Sequence, residues 1–181
     1  MIIEPLPLAG CFRILPEAHR DSRGLFARFF CPREFAMHGL AGRWEQGNLS
    51  LSHVRGTLRG MHFQNGAPPE AKLIRCVAGA AFDVLVDLRA GSTSFGQWCS
   101  VEISAENRAM VYCAAGCAHG FQTLSPDTEL NYLHSAPYAP AQESGVNHAD
   151  PEIAIRWPLP VAVLSDRDAA LPALKDVVPY S

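Results

Sequence analysis

The sequence has 181 residues, 48% of them hydrophobic and 18% charged, with a formal net charge of −3. A chain of this length can bury a substantial core as one domain, without disulfide or metal staples. Its near-neutral balance gives no basic field for nucleic acid or anionic lipid, and no apolar run approaches the roughly 18 residues that cross a bilayer.

From the N-terminus, Met1–Phe12 carries Glu4, Pro5 and Pro7 and matches neither a secretion signal nor a membrane span, so a soluble, cytoplasmic protein is expected. Apolar, strand-like runs occupy Cys11–Leu15 and Leu25–Phe30 in an N-terminal arm over residues 1–30. One or two helical turns are expected around Pro32–His38. Asn48–His53 then alternates polar and apolar residues with the period of two that marks a half-buried strand. Lys72–Val77, Ala81–Leu88, Gln97–Ile103, Ala109–Cys113, His119–Leu124 and Glu129–His134 follow at intervals of about ten residues, the rhythm of a β-sandwich or barrel. A short helix is expected near Asp168–Leu174. Residues 151–181 are rich in proline, with isolated apolar anchors (Ile153, Ile155, Trp157, Val163), and read as an extended C-terminal arm packed over the barrel. The fold expected is all-β: a jelly-roll barrel with a few short helices, forming a single domain over residues 1–181. The six cysteines (Cys11, Cys31, Cys76, Cys99, Cys113, Cys117) are scattered through apolar stretches without paired zinc-site spacing and read as structural thiols.

Three segments set polar residues into otherwise apolar strands. In Arg55–Gln64, glycines lie on both sides of Arg59, and His62 and Gln64 share a strand face through their spacing of two. In Ala80–Arg89, Asp83, Leu85, Asp87 and Arg89 share the face opposite Phe82, Val84, Val86 and Leu88. The third segment is Gly116–Phe121, with His119. A lone histidine in a turn is commonly just a hydrogen-bonded core residue. Charged residues inside apolar strands need partners, because an unpaired buried charge costs several kcal/mol, so a barrel with a polar interior reads as a binding site.

The spacing Gly56–x5–His62–x–Gln64, followed by Gly116–x2–His119, resembles the two motifs of a cupin barrel. More specifically, the chain resembles the dTDP-4-dehydrorhamnose 3,5-epimerases. The resemblance rests on collinear stretches: Asp21–Phe26, Gln46–Ser52, Leu58–Gln64, Lys72–Arg75, Asp83–Arg89 with Ser92 to Trp98, Ala118–Phe121, Tyr132 to Tyr138, and Trp157-Pro158 with Leu164–Asp168. It implies inversion of C3 and/or C5 in a nucleotide-linked 4-keto-6-deoxyhexose, whose ketone acidifies the adjacent ring hydrogens. His62 then matches the base, Asp168 the carboxylate paired with it, Tyr132 the acid on the opposite face, and Lys72 the cation beside the developing enolate oxygen. Arg59 and His119 match residues of the sugar pocket. Arg23, Phe26, Gln46, Asn48 and Tyr138 match residues around the nucleotide. On residue type alone, Lys72 could be a surface lysine, Tyr132 a core aromatic, Asp168 a helix N-cap and Tyr138 a structural plug. The resemblance also implies a homodimer, in which an N-terminal strand could join the partner's sheet and cover an open edge.

The chain departs from the family at several positions. Arg28 stands where a glutamate is usual, Leu51 and Leu133 where basic residues are common, and Ala114 and Cys117 replace a proline and a larger apolar residue. The charge reversal at Arg28 makes an epimerase acting at one carbon, or on a different nucleotide, the principal alternative. A metal-dependent cupin is a weaker one, because Gln64 occupies the second-histidine position and Glu70 falls late. A non-catalytic sugar-binding barrel would be expected to have lost the base, its partner or the acid, and all three remain. No glycine-rich dinucleotide turn follows any strand, so neither cofactor nor metal is expected.

Overall fold

Thirteen short strands form in the computed structural model, which describes residues 1–181. In chain order they are β1 (Ile2–Pro5), β2 (Phe12–Leu15), β3 (Ala18–Asp21), β4 (Gly24–Ala27), β5 (Gln46–Ser52), β6 (Leu58–Gln64), β7 (Lys72–Ala78), β8 (Ala80–Asp87), β9 (Trp98–Ser104), β10 (Met110–Cys113), β11 (Cys117–Thr123), β12 (Thr128–His134) and β13 (Glu143–Gly145). The α-helices are α1 (Pro32–Ala36) and α2 (Asp166–Ala169), and neither is long or apolar enough to cross a membrane. The seven strands expected between Asn48 and His134 all form, with ends displaced by a residue or two. The polar segment around His62 is β6.

Two antiparallel sheets face each other. One has six strands in the order β1-β2-β10-β7-β12-β5, and the other has five, β13-β6-β11-β8-β9. Between them lies a core that takes Ile74, Cys76, Val111 and Leu130 from the first sheet and Leu85, Val101, Ile103 and Phe121 from the second. The outer faces are covered as well. The C-terminal arm lays Ile153, Leu174 and Val177 against Val84 and Val86 of the five-stranded sheet and Leu88 just beyond β8. Helix α1, which starts at Pro32 with its φ preset for a helix, packs the fully buried Phe35 on the other sheet, within an aromatic cluster of Phe30, Trp44 and Tyr112. Burial on both faces is why β8 reads as apolar on both alternations, apart from its aspartates.

The N-terminal arm differs from expectation. Strand β2 pairs with β10 of its own chain and β1 pairs with β2, so both complete the chain's own sheet. Strands β3 and β4 form a separate hairpin bonded to neither main sheet. The cysteines are unpaired by disulfides and mostly buried, as expected of structural thiols.

One crossing depends on glycine. Gly60 sits at φ +124°, and a Cβ there would lie 2.5 Å from Gly120 Cα and 2.9 Å from the His119 carbonyl. This contact lets β6 and β11 approach closely, and it sets His62 directly opposite His119 in the ladder.

Candidate active site

The space between the sheets opens into a cavity of about 370 Å³, within the range of small-molecule sites. Arg59 and His62 come from β6 and His119 from β11 of one sheet. Lys72 comes from β7, Tyr132 from β12, and Gln46 and Asn48 from β5 of the facing sheet. Tyr138, from the loop after β12, and Asp168, from α2, complete the set. Nine of the eleven residues singled out in the sequence therefore line one cavity.

His62 and Asp168 form a dyad across 106 residues of sequence, with Nε2 2.8 Å from Oδ1. The second Asp168 oxygen accepts the Gly60 backbone N–H at 3.0 Å. Burial works to raise the Asp168 carboxyl, but hydrogen bonds from His62 and Gly60 outweigh it and hold the group below the usual carboxylate range. A carboxylate only accepts, so Nε2 carries the proton and the bare nitrogen of neutral His62 is Nδ1. Asp168 is not the helix cap considered from sequence. Ser165 caps α2 by accepting the Asp168 N–H at 3.1 Å, which leaves the carboxylate free to reach His62.

Because the folded-state pKa of Asp168 lies below its unfolded value, its contribution to stability is present above the ordinary carboxylate pKa of about 4. It is lost as pH falls through the folded value. Asp168→Asn should therefore have a melting temperature that falls less steeply than wild type between about pH 7 and pH 3. Parallel melting profiles would refute this.

Lys72 is buried, not the surface lysine its strand position allowed. Its ammonium donates to the His62 carbonyl at 3.1 Å and lies 3.5 Å from Glu70 Oε2. The Tyr132 hydroxyl is 2.9 Å from Ser50 Oγ, and its ring meets His119 edge-on at 5.9 Å between centroids. Burial pushes the Tyr132 phenol well above its ordinary value, so it holds its proton. His119 Nε2 is 2.7 Å from Asp83 Oδ2, and burial raises the Asp83 carboxyl against the pull of that imidazole. Arg59 is braced by Ser52 Oγ and the Leu51 carbonyl, both at 3.2 Å. Gln46 accepts the Tyr138 N–H at 2.9 Å, and the Tyr138 hydroxyl donates to Glu143 at 3.0 Å.

Two expected residues stand elsewhere. Arg23, 89% exposed, pairs with Asp21 at 2.6 Å, and Phe26, 76% exposed, borders a second cavity lined by Leu25, Phe29 and Met110. Both belong to the β3–β4 hairpin, which carries them away from the first cavity. Asp87 and Arg89 also lie outside it. They pair at 2.7 Å, and together with Ser92 and Ser94 they tie down the loop after β8. Arg28 is engaged by Glu34 at 3.0 Å. Gln64, the position a metal cupin gives to histidine, is spent on the 137–139 loop, donating to the Pro137 carbonyl and accepting the Ala139 N–H.

Sequence reasoning missed Ser50, Glu70, His134, Glu143 and Arg167 as lining residues. Ser50 and His134 could have been found, since each is two residues along a strand from a residue already chosen. Glu143 and Arg167 form an ion pair from different segments, which no local pattern signals.

Comparison with known proteins places the chain in a family. Residues 5–176 match the family model described as dTDP-4-dehydrorhamnose 3,5-epimerase. A curated relative of that name from Mycolicibacterium smegmatis is 44% identical over 97% of this chain and 87% of its own length. The crystal structure of NovW, a 4-keto-6-deoxy sugar epimerase from Streptomyces spheroides, is similar at TM-score 0.92 and 43% identity, over 97% of this chain and 88% of that one. That of ChmJ, a 3'-monoepimerase from Streptomyces bikiniensis in complex with dTDP-quinovose, is similar at TM-score 0.89 and 41% identity, over 95% and 87%. The chain is a cupin-fold member of the dTDP-4-dehydrorhamnose 3,5-epimerase family of isomerases.

Proposed function

We propose that the protein epimerises a dTDP-linked 4-keto-6-deoxyhexose by proton exchange beside the ketone. The observation that carries this reading is that a carboxylate-backed imidazole and a protonated phenol project from facing sheets into one cavity. Inversion at carbon needs a proton removed on one face and returned on the other, and facing walls supply that. His62 Nδ1 takes the C3 or C5 hydrogen as a proton, and the electron pair moves into an enolate at O4. Asp168 stabilises the imidazolium formed. Lys72 steadies the oxyanion, and Tyr132 returns a proton from the opposite wall. Arg59 offers a planar fork to the diphosphate, beside Gln46, Asn48 and Tyr138.

The test is incubation with dTDP-4-keto-6-deoxyglucose in D2O after exhaustive chelation. Deuterium should enter C3, C5 or both; the labelled positions report which carbons are deprotonated, and NMR of the ring protons reports which are inverted. No label, or activity restored only by a divalent ion, would overturn the proposal.

The same reading includes a homodimer. Arg23 and Phe26 sit on an exposed hairpin, and Leu49 and Leu51 stand exposed on the edge strand β5. A second copy that covers these surfaces would bring the hairpin residues to a nucleotide bound in its partner. Light scattering at micromolar concentration should give twice the chain mass of 19.7 kDa. A monomer there would refute it.

A further inference from the structure

Besides His62–Asp168 and His119–Asp83, the cavity holds a third carboxylate–imidazole pair, which the mechanism above does not use. Glu70, buried ahead of β7, places Oε1 2.9 Å from His134 Nδ1 at the end of β12. Its other oxygen faces Lys72 at 3.5 Å. Burial opposes the charge on Glu70, but the His134 hydrogen bond and the Lys72 ammonium outweigh it and hold the carboxyl below its usual range. An ionised Glu70 only accepts, so His134 Nδ1 must carry a proton.

The other ring nitrogen, Nε2, stands 3.3 Å from the Asn48 side-chain amide. Two arrangements satisfy both partners. With a neutral ring, Nε2 accepts from the amide NH2 and the Asn48 carbonyl oxygen turns to the cavity. With an imidazolium, Nε2–H donates to that carbonyl and the NH2 turns to the cavity. One proton on His134 therefore decides whether Asn48 offers the ligand an acceptor or a donor.

A diphosphate presents only acceptor oxygens, and Arg59, Lys72 and Arg167 already gather positive charge around the cavity. We propose that His134, held by Glu70, is a positioning residue: binding of a nucleoside diphosphate protonates its ring and turns the Asn48 NH2 toward the diphosphate. The inference deepens the epimerase reading and rests on it for the ligand class. Other groups facing the ring are Glu70 ahead of β7, Lys72 on β7, and Tyr132 on its own strand, 6.2 Å away between centroids. Gln46 and Asn48 on β5 are neutral. Glu45 meets His134 only through its backbone N–H, its carboxylate being paired with Arg43 at 2.9 Å.

The test is imidazole 15N NMR of the wild-type protein during titration with dTDP, repeated with inorganic pyrophosphate, with His134 assigned by the signal missing in His134→Gln. Saturation should move His134 Nε2 from the bare-nitrogen range to the protonated range. His134→Gln, which cannot become a cation, should bind dTDP about tenfold more weakly and take up correspondingly fewer protons by calorimetry in buffers of different ionisation heat. Binding of dTDP with Nε2 still bare would overturn the relay, as would binding of neither anion. The relay and the epimerase reading fail separately. A moved signal in a protein that exchanges no deuterium sinks only the reaction, and exchange with an unmoved signal sinks only the relay.

Discussion

His62→Ala should abolish both solvent deuterium incorporation and product formation. No other side chain in the cavity combines a carboxylate-fixed tautomer with a ring nitrogen at this position: His119 and His134 are each held by a different acid, Asp83 and Glu70. Tyr132→Phe should behave differently. It keeps the aromatic packing against His119 and gives up one hydroxyl whose partner, Ser50, is only half-buried, so the fold is little disturbed. The carbanion can still form, but its proton returns from the face it left. Exchange should survive in part while net inversion falls by about 10²-fold or more, the range of one positioned acid. Asp168→Asn should lie between the two, because it keeps the shape but weakens the imidazolium. Mass spectrometry of the sugar and NMR of its ring protons separate exchange from inversion. Wild-type exchange in His62→Ala would mean that another residue is the base, with His119 the first to test.

The second large effect is on stability. Gly60→Ala forces a side chain into a left-handed backbone at φ +124° and drives its Cβ against Gly120 Cα. Backbone strain of about 1–3 kcal/mol and overpacking of similar size together give about 2–6 kcal/mol. At this chain length that lowers Tm by about 4 °C at the least. Gly24→Ala is the control, because Gly24 shares a similar φ of +129° but has nothing within 4 Å of the added carbon. The control should show the backbone part alone. Equal losses in the two variants would mean that the β6–β11 crossing tolerates the extra atom, contrary to the distances above.

These two cases show why some of the molecule was legible in sequence and some was not. The strands from Asn48 to His134 announce themselves through period-two alternation and regular turns, and the pocket residues on them follow from i, i+2 spacing. The dyad was reached only through resemblance, since nothing local to Asp168 points at His62, and on its own it read as a helix cap. Asp87 and Arg89 misled in the opposite direction. A buried ion pair inside a strand looks like a site, yet its hydrogen bonds to Ser92 and Ser94 make it a loop anchor. Strand β2 was visible as the apolar run Cys11–Leu15, but its pairing with β10, and that of the unforeseen β1 with β2, are tertiary choices that composition does not encode.

The C-terminal arm carries one half of the dyad while β6 in the barrel carries the other. It carries only four-residue and three-residue helices and no ladder strand. It is attached by apolar anchors, by the isolated bridges Thr57–Val163 and Arg89–Tyr180, and by single hydrogen bonds such as Gln122 to Leu159, Asn65 to Val178, Asn147 to Pro172 and Asp150 to Leu174. Such a segment opens at a lower free energy than the sheets beneath it. On warming, the lid that supplies Asp168 should peel off while the barrel remains folded, so loss of turnover should precede loss of β-sheet signal. The working temperature of the enzyme is then governed by this strap over residues 151–181, not by the core of the jelly roll.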